Sequence, residues 1–122
     1  MKIRFFVPGM VSEPIFPVVE VTEDMCVSGR IRMPKGIARG VMVDGVVVAW
    51  AVAGLPDENG VRRITVETDV RHRQKGYATA CLQALVRDVK EPLLYQCEEK
   101  NMNSAKTALK AGFVETGGVA WD

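Results

Sequence analysis

The sequence predicts an α/β fold of the α+β kind, in which helices flank a central mixed β-sheet. The front half of the chain is rich in valine, and β-branched side chains favour strands. From Gly76 onward the apolar residues adopt the spacing of an amphipathic helix. The chain has 122 residues, which is enough for one core and too few for two. We therefore expect residues 1–122 to form a single domain.

The composition is that of a folded protein without a general affinity for polyanions. Apolar residues make up 48% of the chain and charged residues 25%, which argues against a disordered or fibrous protein. The formal net charge of +1 argues against general binding to nucleic acid or to an anionic membrane. The first apolar run is too short for a secretory signal, and none approaches the ~20 residues of a membrane helix. The expected location is therefore cytoplasmic.

Residues that bind metals or form disulfides are scarce. The cysteines Cys26, Cys81 and Cys97 are odd in number and widely spaced, which supports neither a disulfide framework nor a CxxC zinc site. His72 is the one histidine, so a Ser-His triad or a structural zinc is also unexpected. We therefore predict that the protein holds no metal.

The predicted sheet begins with a hairpin over residues 37–53. Its two valine-rich runs are separated by Asp44-Gly45, which is typical of a type I′ turn because both central residues need a positive φ. A polar turn follows over residues 54–60. Residues 61–68 then alternate between two faces, which predicts a third strand.

Two helices and two strands complete the predicted order. The first helix ends before Pro92, and its apolar stripe consists of Ala78, Cys81, Leu82, Leu85 and Val89. Residues 93–97 predict a strand, and a second helix begins at about residue 103 or 104 and ends at residue 111. Residues 113–121 predict the last strand. From about residue 37 the order is β-β-β-α-β-α-β, and the unit over residues 61–97 should join parallel neighbours.

The pattern of the first 36 residues indicates little regular secondary structure. Prolines interrupt them at four positions, and no amphipathic helix is recognisable. A strand over residues 18–21 is the one element that the pattern favours. We therefore expect an abbreviated N-terminal region.

The junction between the third strand and the first helix, residues 68–78, carries the clearest chemical signal. Several basic residues precede Gly76 and Ala78, which begin the helix. The first amides of a helix are unpaired and lie at the positive end of its dipole, and small residues let a phosphate approach the backbone. The expected ligand is a phosphate or a pyrophosphate.

Two motifs resemble those of the GCN5-related N-acetyltransferase (GNAT) superfamily. Arg73-x-x-Gly76-x-Ala78 resembles its [Arg/Gln]-x-x-Gly-x-[Gly/Ala] coenzyme A signature, and residues 66–78 are similar to the V-x-T-x-x-x-x-R-x-x-G-Y-A pattern of its bacterial branches. Downstream, this sequence resembles the superfamily's N-x-x-S…K-x-GF motif at Asn101-x-x-Ser104, Lys106, Lys110 and Gly112-Phe113. The resemblance covers about residues 37–121, and the motifs stand in the expected order.

The resemblance implies that acetyl-CoA lies where the third strand splays from the strand over residues 93–97. The pantetheine arm would pair with the backbone of residues 66–70 as an added strand. The pyrophosphate would lie on the amides that precede Ala78, and the second motif would flank the far side of the cofactor. The implied cofactor-binding residues are Val66, Thr68, Val70, Arg73, Gln74, Lys75, Gly76, Tyr77, Ala78, Asn101 and Ser104.

The resemblance also implies that an amine attacks the thioester directly, so side chains are needed to move protons. A primary amine with a pKa of ~10.4 is about one part in 10³ neutral at pH 7, and Glu67 is the candidate base. Many family members place a tyrosine on the second helix as the acid, but Ala108 occupies that position here. Tyr95 and Cys97, near the end of the adjacent strand, are the candidate substitutes.

Simpler interpretations and other functions stay open. Glu67 could be an exposed carboxylate paired with Arg63, and Cys97 could be an inert buried thiol. The whole chain could be a catalytically weak or silent coenzyme A-binding module, or a small nucleic-acid-binding domain that uses the basic residues 71–75. The leading expectation is an acetyl-CoA-dependent N-acyltransferase whose acceptor is a small molecule or a protein. It needs no nucleic acid or membrane partner, and a homodimer is plausible.

Overall fold

The computed structural model describes residues 2–22 and 34–121, with side chains as far as residue 116. The strands are β1 (Lys2–Pro8), β2 (Val19–Glu20), β3 (Gly36–Val43), β4 (Val46–Gly54), β5 (Arg62–Thr68), β6 (Leu93–Glu98) and β7 (Phe113–Trp121). The helices are α1 (Tyr77–Asp88) and α2 (Met102–Ala111), and a 3-10 turn covers Val70–His72.

Among these residues the strands form one seven-stranded sheet in the order β2-β3-β4-β5-β6-β1-β7. Its neighbours are antiparallel except for β5 and β6, which are parallel. The predicted mixed sheet with flanking helices is therefore confirmed. No helix in the described part of the chain is long and apolar enough to cross a bilayer.

The hairpin of β3 and β4 follows from local turn chemistry. The two strands pair antiparallel along their length, and the residues between them, Asp44 and Gly45, have φ of 52° and 81°. These positive angles are those of the type I′ turn that the sequence predicts. β5 then pairs antiparallel with β4, as expected of the third strand.

β5 and β6 are joined only near their beginnings. Arg62 pairs with Leu93 and Arg63 with Leu94, and the ladder stops there although both strands continue. The two strands therefore separate towards their carboxyl ends. This separation opens the cleft that the resemblance implies.

The strand β1 is a correction to the sequence analysis, which predicts no strand at the start of the chain. β1 lies between β6 and β7 and pairs antiparallel with both, and its Phe6 is fully buried. β2 lies within the strand predicted over residues 18–21 and pairs with β3. The N-terminal region is therefore less abbreviated than expected, because it supplies an inner strand of the sheet.

The main core includes α1, α2 and the strands that they contact. α1 buries six consecutive residues, Ala80 to Leu85, and α2 buries three alanines, Ala105, Ala108 and Ala111. Small side chains on α2 let the helix approach its neighbours closely. Trp50 belongs to a second, smaller cluster of buried residues. The two helices are thereby fixed beside the cleft.

Residues 9–18, which we name the crossing segment, connect β1 to β2. Because β1 is sixth in the sheet and β2 is first, this connection must travel across the sheet. It begins beside the end of α2, where the Gly9 amide donates a hydrogen bond to the Gly112 carbonyl oxygen at 3.0 Å. Val11, Phe16 and Val18 then pack against the main core. The crossing segment is thus part of the packed structure.

Candidate functional site

A cavity of about 700 Å³ opens where β5 and β6 separate, a volume in the usual range of small-molecule sites. The wall is formed by β5, the loop that follows it, β6, the first turn of α1 and one face of α2. The lining residues are Val66, Glu67, Thr68, His72, Arg73, Gln74, Gly76, Tyr77, Ala78, Thr79, Tyr95, Asn101, Asn103, Ser104, Lys106, Thr107 and Lys110. Most of the predicted cofactor-binding residues are therefore brought together.

The loop between β5 and α1 has a constrained backbone. The Asp69 carboxylate accepts a hydrogen bond from the Arg71 amide at 3.0 Å, and hydrogen bonds from the Arg71 side chain lower the pKa of Asp69. Gln74 and Gly76 have φ of 63° and 84°, in the left-handed region. This conformation costs a non-glycine residue such as Gln74 about 1–2 kcal/mol. Turns of this kind direct successive amides into anion-binding concavities.

The first turn of α1 presents free amides. Gly76 is the N-terminal cap and offers no side-chain hydrogen bond, and no acidic residue lies in the first turn. The Ala80 amide donates to the Gly76 carbonyl oxygen at 3.1 Å, so the amides of Tyr77, Ala78 and Thr79 precede the helical hydrogen bonds. These residues line the cavity, which therefore has the positive end of the α1 dipole in its wall.

α2 supplies a second polar wall. Asn103, Lys106, Thr107 and Lys110 all line the cavity. Lys106 and Thr107 each lie three or four residues from both Asn103 and Lys110, which places the four side chains on one face of the helix. Sequence analysis named the two lysines only within the motif and did not assign them or the other two residues to the site. The helical spacing is the signal that would have identified this wall.

Tyr95 brings a hydroxyl group from β6 to the cavity. Its ring packs edge-on against Phe6 and Phe113, with centroid distances of 6.0 and 6.1 Å, and the residue is 4% exposed. The hydroxyl oxygen lies 2.5 Å from Ser104 Oγ and 3.0 Å from the Ser104 carbonyl oxygen. Burial raises the pKa of Tyr95 above its ordinary value, so the phenol keeps its proton. The side chain therefore brings a protonated hydroxyl to the wall of the cavity.

Glu67 lies on β5 opposite Trp50 of β4 and lines the same cavity. The simpler interpretation pairs it with Arg63, but the Arg63 guanidinium donates a hydrogen bond to the Gln96 side-chain oxygen. Within the described part of the chain, the Glu67 carboxylate makes no hydrogen bond or ion pair. The pairing with Arg63 is therefore not seen, and the carboxylate belongs to the lining of the cavity.

Three of the predicted residues do not line the cavity. Cys97 is 8% exposed, and burial raises the pKa of its thiol, which disfavours the reactive thiolate. Val70 is 70% exposed, and Lys75 is also exposed. Asn101 does line the cavity, but its side-chain oxygen caps α2 by accepting a hydrogen bond from the Ser104 amide at 3.1 Å.

Two ring-bearing side chains, Tyr77 and His72, lie beside each other at the cavity. Tyr77 both lines the cavity and packs in the structure, because its ring contacts that of Phe16. His72 lines the cavity with its ring 6.4 Å from that of Tyr77. Within residues 2–22 and 34–121, no group of three histidine, cysteine or acidic side chains is placed to hold a metal ion.

The sequence matches the acetyltransferase (GNAT) family over residues 15–113. It is also 38% identical, over 74 residues, to the Uncharacterized N-acetyltransferase YjdG of Bacillus subtilis (strain 168). That match covers 57% of this chain and 44% of the relative, so the chain spans less than half of the relative's length.

Solved structures share the fold at low identity. A GNAT-family structure from Novosphingobium aromaticivorans has a TM-score of 0.73 at 19% identity. The match covers 94% of this chain and 60% of the chain from that organism. A GCN5-related N-acetyltransferase-like protein from Streptococcus suis has a TM-score of 0.69 at 16% identity, with coverages of 98% and 59%. An acetyltransferase from the GNAT family of Colwellia psychrerythraea has a TM-score of 0.70 at 14% identity, with coverages of 94% and 53%.

The family match includes both walls of the cavity, from β5 to the last turn of α2. The structural likeness adds the architecture of the sheet in which the two strands separate. This chain belongs to the GNAT acetyltransferase family.

Proposed function

We propose that this protein transfers an acetyl group from acetyl-CoA to a primary amine. The proposal depends on one observation: the separated ends of β5 and β6 and the uncapped first turn of α1 open into the same cavity. Beyond Arg63, the edge of β5 that faces β6 has unpaired backbone groups, and an extended arm binds such an edge as an added strand. The free amides of α1 suit a diphosphate.

The charges of the lining fit such a ligand. Arg73, Lys106 and Lys110 add basic side chains to the amides of the first turn, and charge-assisted hydrogen bonds to phosphate are strong. Among the residues that line the cavity, Glu67 is the single acidic one. The cavity therefore suits a molecule with an anionic end, and it places a carboxylate where a cationic acceptor can be received.

The chain's own residues account for the proton movements. Acetyl-CoA supplies a thioester, whose acyl carbon bonds to the amine nitrogen as its bond to sulfur breaks. Glu67 takes the proton that the incoming amine loses, directly or through water. Tyr95 holds the proton that the departing sulfur requires, and Ser104 orients the phenol that carries it. Cys97 has no part in this scheme.

Calorimetric titration with acetyl-CoA tests the site. Gly76→Glu should abolish binding, because it places a negative charge beside the free amides and strains a residue at φ 84°. Gly60→Glu is the matched control, since Gly60 has φ of 77° in a turn that does not line the cavity. Equal affinity in the wild type and in Gly76→Glu would refute the placement of the diphosphate.

A second function, a catalytically weak or silent coenzyme A-binding module, is favoured by Ala108. This residue occupies the position at which the resemblance implies an acid, and it is fully buried. Release of free thiol over a panel of amines separates the two proposals. Binding of acetyl-CoA without thiol release for any amine favours the module, whereas turnover with an amine supports the transferase.

The cytoplasmic location, the single domain over residues 1–122 and the homodimer stay predictions. β7 is an edge strand that pairs with β1 on one side only, and edge strands are common sites of association. Light scattering on the purified protein measures the mass of the particle in solution. A mass of one chain would refute the dimer.

A further inference from the structure

The crossing segment contacts the first turn of α1. A Cβ atom built on Gly76 would lie 3.4 Å from Phe16 Cε2. The ring of Phe16 meets that of Tyr77 edge-on, with centroids 5.0 Å apart and planes at 83°. Gly76 and Tyr77 are the cap and the first residue of α1, and both also line the cavity. Phe16, which does not line the cavity, therefore supports the turn whose amides face it.

The same segment is anchored at the other end of α1. Glu13 lies 3.6 Å from Arg87 in an ion pair. Residues 76, 80, 83 and 87 form one stripe along the helix, because residues three and four apart share a face. The crossing segment therefore contacts both ends of this stripe, through Phe16 at Gly76 and through Glu13 at Arg87.

This support matters because no side chain caps the helix that Gly76 begins. Glycine can adopt many backbone conformations, so neighbouring contacts are needed to keep the turn in one of them. The ring of Tyr77 has two aromatic neighbours, Phe16 with its centroid at 5.0 Å and His72 at 6.4 Å. A binding site that is fixed before the ligand arrives loses less conformational entropy on binding.

We propose that Phe16 is a positioning residue for the diphosphate end of the coenzyme, and that it acts through Gly76 and Tyr77. The proposal rests on the proposed function, because it assumes that the first turn of α1 binds that diphosphate. It assigns the N-terminal crossing segment a role in affinity for the donor, although this segment lies outside both sequence motifs. It assigns Phe16 no role in the transfer step.

Phe16→Ala tests the proposal with three probes, used at a temperature where the variant is folded. Coenzyme A and 3′-phosphoadenosine diphosphate, which carry the diphosphate, should bind roughly three- to tenfold more weakly, the size expected from losing one aromatic pair. S-acetylpantetheine, which lacks the diphosphate, should bind as in the wild type. In steady-state assays KM for acetyl-CoA should rise, while kcat and KM for the amine stay constant.

Two further variants separate positioning from general stability. Ile15→Ala removes a neighbouring apolar side chain that is 81% exposed, and it should leave all three affinities unchanged. Phe16→Leu keeps most of the packing volume and loses the ring, so it should fold and show a weaker form of the same selective loss. If Phe16→Ala does not fold, Phe16→Leu alone tests the role of Phe16 with the same three probes.

The outcomes distinguish this inference from the proposed function. A selective loss for the two diphosphate probes supports the role of Phe16. Unchanged affinities, or an equal loss for all three probes, would overturn it. If the wild type binds neither coenzyme A nor 3′-phosphoadenosine diphosphate, the proposed function itself is wrong, and the role of Phe16 falls with it.

Discussion

Arg4 and Glu115 form a two-point ion pair that ties the first strand of the chain to the last. Arg4 Nε and Nη2 each lie 2.7 Å from an oxygen of the Glu115 carboxylate. The guanidinium also lies 5.3 Å from the centroid of the Phe6 ring, which packs against Tyr95. The pair therefore links the outer part of the sheet to the aromatic residues that hold the candidate acid.

Exchange of the two charges tests this link. Arg4→Glu and Glu115→Arg should each lower the urea midpoint of unfolding, because each places like charges together, and the double variant should recover most of the loss. The hydrogen bond from Arg4 lowers the pKa of Glu115. The ion pair therefore contributes fully to folding stability above the ordinary glutamate pKa, and this contribution is lost as the pH falls through the lowered pKa of the folded protein. Strictly additive losses in the double variant would show that the pair does not contribute.

Tyr95→Phe removes the proposed proton donor while keeping its ring among Phe6 and Phe113. We expect kcat to fall by about 10²-fold, the low end of general-acid effects, because a thiolate leaves without much assistance. The KM for acetyl-CoA should change little. Since burial raises the pKa of Tyr95, the wild-type rate should not decline through loss of this proton until the pH exceeds the ordinary tyrosine value. Cys97→Ala decides between the two candidates: a loss of kcat there, with none in Tyr95→Phe, would reverse the assignment.

Glu67→Gln should lower kcat/KM at pH 7 by about 10²-fold, because the variant cannot take the proton of the acceptor. The difference in kcat/KM between the variant and the wild type should shrink as the pH approaches ~10.4, the pKa of a typical primary amine, since the amine then loses its proton to water. Glu58→Gln, in the exposed turn before β5, is the matched control. A deficit that is the same at every pH would contradict a role in proton removal.

Because the Cys81 thiol is buried, we expect the protein to lose folding stability at alkaline pH. Burial raises the pKa of its thiol from 9.0 to about 12, so the unfolded chain ionises first as the pH rises. The resulting loss of stability begins near pH 9 and continues to about pH 12, and it amounts to about 1.4 kcal/mol by pH 10. Urea unfolding of the wild type and Cys81→Ala between pH 7 and pH 10 measures it. Cys81→Ala should be less sensitive to pH, and identical slopes for the two proteins would contradict the assignment.

The parts of the fold that depend on neighbouring residues could be predicted from the sequence. The turn at Asp44-Gly45 follows from the backbone preferences of those two residues, and the apolar spacing after Gly76 predicts the helix α1, which also buries residues outside the predicted stripe. The junction of β5 and α1 was found for the same reason, because the basic residues and Gly76 are adjacent in the chain. The motif resemblance added the cleft between β5 and β6.

The parts that depend on distant residues could not be predicted. Ile3, Phe5 and Val7 have the composition of a strand, but no local signal places β1 between β6 and β7. The contact of the Tyr95 hydroxyl with Ser104 spans only nine residues, but it depends on how α2 packs beside β6, and the sequence carries no signal for that packing. The contact of Phe16 with Tyr77 follows from the path of the crossing segment and has no signal in the sequence around either residue.

The position of β1 has a consequence during biosynthesis. The ribosome makes β1 before the other described strands, whereas both strands that flank it, β6 and β7, are made only after α1. At ~5–20 residues per second, the apolar side of β1 waits on the order of ten seconds before its partners exist. The nascent chain must keep this strand from aggregating over that interval, and the cleft between β5 and β6 takes its final shape only after β6 has been made.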